Sequence, residues 1–190
     1  MIRQSISVQK NQIADLCYYS ETDLEASAKD FRHSFDVNVL GPLNTTTAFL
    51  PLIRAGQTKK VIFLTTGMAD IPLINEYGVA AAPPYTVSKA ALNALVAKYN
   101  AAFGASEGIL FLGVSPGVVD TSPAGLQLSP AEREVQAAMF AQFAAYAPDF
   151  KGPISAAESV DAVLKVVDRA SVKGGWGGKA VSHYGTERWL

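Results

Sequence analysis

Tyr85 and Lys89 stand four residues apart in YTVSK, a spacing that puts a phenol and an ammonium on one face of a helix. A tyrosine accepts protons poorly near neutrality, because its reference pKa is about 10. A lysine about 4 Å away would stabilise the phenolate by roughly 4 kcal/mol at an effective dielectric of 20, or about three pKa units. A phenol tuned in that way exchanges protons efficiently with a substrate oxygen. The spacing alone is weak evidence, since 7 tyrosines and 10 lysines in 190 residues give about 0.4 such pairs by chance. A solvated pair on a helix surface explains it equally well.

Other polar groups sit where an α/β protein binds ligands. Thr65-Thr66 closes the apolar run KVIFLTT, and ligands gather at the C-terminal ends of parallel strands. Ser115-Pro116-Gly117-Val118-Val119-Asp120-Thr121 follows a second such run, with a glycine that lets another molecule approach the backbone. Asn38 interrupts the apolar stretch FDVNVLG, and a buried amide needs hydrogen-bond partners.

The elements that must position these groups alternate between helix and strand. Apolar residues Phe31, Phe35, Val39, Leu43, Phe49 and Leu50 suit a long helix from Asp23 to about Leu50, with Pro42 as a kink. Lys60–Thr66 and Ile109–Ser115 read as strands buried on both faces. Pro83-Pro84 opens an Ala/Leu-rich helix to about Phe103, with Gly104 as its terminator. Residues 116–129, with two prolines and two glycines, read as an irregular loop. Ser129 caps the next helix, and Ser155 with Glu158 forms a capping box for another that ends near Ala170. A glycine turn at 174–178 leads to a last strand, Lys179–His183.

This order implies parallel strands joined by crossover helices. The expected fold class is α/β, a Rossmann-like three-layer αβα domain with a mostly parallel sheet. One domain covers 1–190: an ill-defined start at 1–20, a catalytic core at 23–121, a substrate-loop region at 122–154, and a C-terminal helix and strand at 155–190.

Composition excludes several classes. Hydrophobic residues at 49% and charged residues at 17% indicate a globular chain rather than a disordered one. A net charge of -1 without a Lys/Arg run offers nothing to nucleic acid. The apolar stretches are too short for a membrane span. Cys17 is the only cysteine, which excludes an intrachain disulfide and a cysteine-based zinc site. No metal is expected, and the composition with MIRQSISVQK at the start suits a cytoplasmic setting.

FDVNVLGPL, the strand ending in a hydroxyl pair, YTVSKAALNAL and SPGVVDT occur in an order and spacing that resembles the short-chain dehydrogenases/reductases. The resemblance covers about Asp30–Thr121 well and the tail to Leu190 more loosely. It implies NAD or NADP as cofactor and a small alcohol or carbonyl compound as substrate. Tyr85 would be the acid/base, and Lys89 would bind the nicotinamide ribose while lowering the Tyr85 pKa. Thr66 would stand where the family usually has a substrate-binding serine, and Asn38 would hold a water of the proton relay. Pro116, Gly117, Val119 and Thr121 would meet the nicotinamide end. A homo-oligomer is also implied, helped by the Ala-rich face of residues 90–102.

Two departures stand out. The 18 residues between Thr66 and Tyr85 exceed the usual gap, which suggests an insertion around Asp70–Ala82. No glycine precedes Asn38, so the glycine-rich turn that cradles the dinucleotide phosphates is missing and the domain reads as N-terminally truncated. Gly175-x-Gly177-x-x-Ala180 follows a helix and precedes a strand, the reverse of what phosphate binding needs. The strand Lys60–Thr66 would then expose an edge, against which residues 11–19 would pair. This leaves an alternative: a catalytically impaired form that serves as an interaction or oligomerisation module.

A serine-hydrolase reading of Gly113-Val114-Ser115-Pro116-Gly117 fails on chemistry. The residue after the nucleophile must donate its backbone N–H, and Pro116 has none. His33 and His183 are expected to be structural, and Trp176 and Trp189 to pack the C-terminal tail.

Overall fold

A computed structural model describes residues 23–122 and 127–190. Helix α1 (Leu24–Phe35) begins at Asp23, whose carboxylate accepts the Ala26 N–H at 2.8 Å. One π-helical stretch, Asp36–Leu40, separates it from α2 (Gly41–Ala55). The backbone stays helical through Leu40 into α2, so Pro42, which has no N–H to give a preceding carbonyl, follows directly on this widened stretch. Strand β1 (Lys60–Leu64) leads through a 3-10 turn (Gly67–Ala69) into the short helix α3 (Ile71–Tyr77). The residues read as an insertion thus carry a helix of their own.

Helix α4 (Pro83–Tyr99) runs through a second π stretch (Asn100–Gly104) into α5 (Ala105–Glu107). Gly104 does not end the helix as expected. It packs against the Asn100 side chain, and the left-handed Gly108 (φ 67°) is the stop. Strand β2 (Leu110–Ser115) follows, and then the two-residue strand β3 (Val119–Asp120) inside the segment read as irregular. Helix α6 (Pro130–Tyr146), strand β4 (Ile154–Ser155), helix α7 (Ala156–Arg169) and strand β5 (Ala180–Ser182) complete the chain. Both expected Ser caps form full capping boxes, Ser129 with Glu132 and Ser155 with Glu158.

The main sheet has the order β1-β2-β5 and is parallel throughout, with Leu64 opposite Val114 and Ser115 opposite Ser182. Strand β2 is central and wholly buried, and its side chains alternate between two cores. Ile109 and Phe111 join Phe63, Leu50, Leu92, Val96 and Tyr99 beneath α2 and α4. Leu110, Leu112 and Val114 join Val166, Ala170 and Val181 beneath α7. This is the three-layer Rossmann-like arrangement expected. A second pairing, β3 with β4, holds the turn after β2 to the start of α7.

Thr65 donates its N–H to Val114 O at 3.0 Å, so alternate residues of β1 face β2 and the intervening ones face the other edge. Among the described residues no strand lies on that edge. The segment 11–19 proposed to pair there lies outside the described residues. Among the described residues, no helix is long and apolar enough to cross a membrane.

Candidate active site

The parallel sheet carries β1 and β2 to the same end, so Thr66 and the Pro116–Thr121 turn emerge together. Helix α4 returns over β1 and brings Tyr85 and Lys89, from its first two turns, to that end. Tyr85 is half-buried, and its phenol lies close enough to the Thr66 side chain for that hydroxyl to favour the phenolate. Lys89 Nζ lies 5.7 Å from the centre of the Tyr85 ring and donates to Leu64 O at 2.8 Å. That carbonyl belongs to the open edge of β1, so Lys89 satisfies one of the edge's unpaired groups.

The electrostatics differ from the sequence-based expectation. Burial raises the Tyr85 phenol above its ordinary value, and the Thr66 hydroxyl only partly offsets this. Burial also lowers the Lys89 ammonium. The lysine's charge is directed to Leu64 O rather than to the phenolic oxygen, so the expected lowering of Tyr85 is absent here. Tyr85 is accordingly protonated at neutral pH.

Asn38 reaches the site indirectly. Its Nδ2 donates to Ser88 Oγ at 3.0 Å, and Ser88 Oγ donates to Tyr85 O at 2.7 Å. The π stretch around Asn38 packs against α4, and this chain of two bonds ties it to the turn of the helix that carries Tyr85. Ser88 is fully buried and was quoted in the sequence motif without a role. A second anchor was missed altogether: buried Thr65 donates to Asn93 Oδ1 at 2.6 Å, two turns along α4 from Tyr85. The signal for both was a polar residue on the apolar, sheet-facing side of the helix.

The Pro116–Thr121 turn is placed by the second sheet. Pro116 O accepts the Ser159 hydroxyl at 2.8 Å, and Ile154 N donates to Val118 O at 2.9 Å. Gly117 has φ 85°, and a Cβ there would lie 2.8 Å from His183 Cε1. The glycine is thus required by its left-handed backbone and by the buried His183 ring. Close approach by a ligand is not needed to explain it. Val119 is half-buried, and Thr121 is exposed. His183 is itself 6% exposed, held neutral by burial, and its Nδ1 has no hydrogen-bond partner. His33 is exposed on α1. Ser115 is buried in β2 and is followed by a turn, not by the helix a nucleophile elbow requires.

Two cavities flank this arrangement. One of about 440 Å³ runs along the open β1 edge between Asn38, Pro42, Thr46, Leu64, Lys89 and Leu92. Another of about 540 Å³ lies behind the Gly117 turn, with Val118, Phe150, Lys151, Ile154, His183 and Tyr184 in its wall. Among the described residues, no group of three or more His, Cys, Asp or Glu is placed to hold a metal ion.

Comparison with known proteins follows the same lines. Residues 18–130 match the family described as short chain dehydrogenase. The short chain dehydrogenase virK of Hypocrea virens is 40% identical over 189 residues, covering 94% of this chain and 69% of the relative. The short-chain dehydrogenase/reductase AacuF of Aspergillus aculeatus is 44% identical over 174 residues, covering 89% of this chain and 63% of the relative. The chain thus spans about two thirds of these relatives' length. Among solved structures, the NADPH-bound carbonyl reductase from chicken fatty liver superposes with a TM-score of 0.62 at 22% identity, over 85% of this chain and 57% of that one. The carbonyl reductase Sniffer of D. melanogaster gives 0.61 at 16% identity, over 86% and 58%. These two likenesses bear on the fold.

Proposed function

Because the chain belongs to the short-chain dehydrogenase family, we propose that it serves an NAD(P)-dependent oxidoreductase that interconverts a small alcohol with its ketone or aldehyde. The observation that carries the reading is the convergence of Tyr85, Thr66 and Lys89 at the C-terminal end of a parallel sheet. The residues fit the nicotinamide end of the cofactor. A half-buried ammonium with spare donors lies beside a phenol, which suits the hydroxyls of a ribose, and the Gly117 turn leaves the sheet at the same end. Lys89 and Tyr85 would hold the ribose, while Pro116, Gly117, Val119 and Thr121 would line the nicotinamide. Bound there, the cofactor supplies or removes the hydride.

In the reducing direction Tyr85 gives its phenolic proton to the substrate oxygen as negative charge develops on it. Thr66 hydrogen-bonds that oxygen and keeps it within reach of the phenol, a positioning role for which a hydroxyl suffices. Asn38, through Ser88, fixes the turn of α4 that aims Tyr85. Asn38 would also hold a water of the proton relay. In the oxidising direction Tyr85 must first lose its proton, which the present environment opposes.

That asymmetry gives a pH prediction. A raised phenol pKa keeps the donor protonated through and beyond neutrality, so carbonyl reduction should stay level from pH 6 to 9 and fall above about pH 10. Alcohol oxidation should climb over the same range. Initial rates in both directions, followed by nicotinamide absorbance, check this. A reduction rate falling already between pH 6 and 8 would show that the proton comes from elsewhere.

One observation favours a second reading, a non-catalytic interaction module. Among the described residues no strand pairs with the outer edge of β1, and exposed apolar side chains flank it, Leu64 at 56% and Val37 at 57%. A folded chain that turns over no carbonyl compound with either cofactor would favour this reading.

A further inference from the structure

We infer that Trp189 is a positioning residue for Thr66, clamping the turn that carries its hydroxyl. The catalytic consequence rests on the oxidoreductase reading, whereas the clamp itself does not. Thr66 lies just beyond the last ladder bond of β1 and opens a 3-10 turn of three residues. The turn's own bonds are few and long: Met68 N donates to Thr66 Oγ1 at 3.2 Å, Ala69 N to Thr66 O at 3.2 Å, and Asp70 N to Gly67 O at 3.0 Å. Thr66 Oγ1 accepts Met68 N while facing the Tyr85 phenol, so a small rotation of the turn misplaces it. A single short turn has little cooperativity with which to resist that rotation.

Trp189 holds the turn at both ends. At Gly67 the indole fills the space a side chain would take, since a Cβ there would fall 2.5 Å from Trp189 Cβ and 2.6 Å from Cγ. At Asp70 its Nε1–H donates to Oδ2 at 2.5 Å. The tryptophan is anchored independently. Its backbone N–H donates to the Tyr146 hydroxyl of α6 at 3.0 Å, and it is 7% exposed among Leu73, Val79 and Phe143. The tail behind it returns to β5, where Ser182 N donates to Thr186 O at 2.8 Å. Backbone and side chain of this one residue therefore tie α6 and the start of α3 to the residue next to Thr66.

The test is amide exchange by mass spectrometry or NMR on the full chain. Trp189→Ala should speed exchange at Met68, Ala69 and Asp70 by about tenfold or more relative to Leu112 and Val114 of β2. Trp189→Phe, which keeps a ring but loses the N–H, should fall between. If Trp189→Ala does not fold, Asp70→Ala removes one end of the clamp and should loosen the same three amides. Gly67→Ala, by evicting the indole, should do likewise. With turnover available, Trp189→Ala should lower kcat for carbonyl reduction roughly tenfold, within the range that misplacing a reacting group costs, leave nicotinamide Kd unchanged, and be largely rescued by Phe. Unchanged exchange at 68–70, or equal loosening of β2, would overturn the inference. An unsubstituted protein without turnover would instead overturn the oxidoreductase reading, and the exchange result would still decide the clamp.

Discussion

Replacing Tyr85 by phenylalanine is expected to lower the rate of carbonyl reduction by about 10²–10⁴-fold, the span that a positioned general acid contributes. The ring stays, so the packing of α4 against the 3-10 turn stays with it. Only the hydroxyl and its contact with Thr66 are lost. Nicotinamide binding should weaken by no more than a few-fold, because Lys89 keeps its own place on Leu64 O. Initial rates and a binding titration on the same preparation separate the two effects. Wild-type rates in the variant would remove Tyr85 from the chemistry.

The largest structural effect is expected at Phe111. It is wholly buried in the central strand, stacked on Tyr99 with ring centres 5.2 Å apart and touching Phe103 at 6.2 Å. Phe111→Ala should cost about 3–5 kcal/mol, the transfer of the ring plus the cavity left in a layer that cannot close. Domains of this kind hold about 5–15 kcal/mol in all, so the variant would be near unfolding at room temperature. Urea denaturation should show a much lower midpoint with an unchanged slope. Phe49→Ala, at a side chain 55% exposed, should move the midpoint little.

What could be read from the chain was whatever depends on local pattern. An unbroken apolar run marked β2 as a buried strand, the Ser–x–x–Glu spacing marked the capping box at Ser155, and Ser129 before Pro130 marked a second helix start. The layered fold followed from their order. What escaped was set by contacts distant in sequence. Gly104 looked like a stop because its partner, Asn100, is recognisable only once the π stretch has formed. The pairing of Val119–Asp120 with Ile154–Ser155 spans too few residues to leave a period. The Tyr85 pKa depends on where the Lys89 ammonium points, and a carbonyl of β1 decides that. Gly117 was read as room for a ligand, whereas His183, far along the chain, occupies the space beside it.

Titrating NADPH and NADH into the purified chain, with nicotinamide fluorescence as the readout, decides whether this end of the sheet binds a nicotinamide. Saturable binding is expected, weakened by Lys89→Ala while circular dichroism stays unchanged. A folded chain that binds neither cofactor at millimolar concentration would contradict a nicotinamide site there.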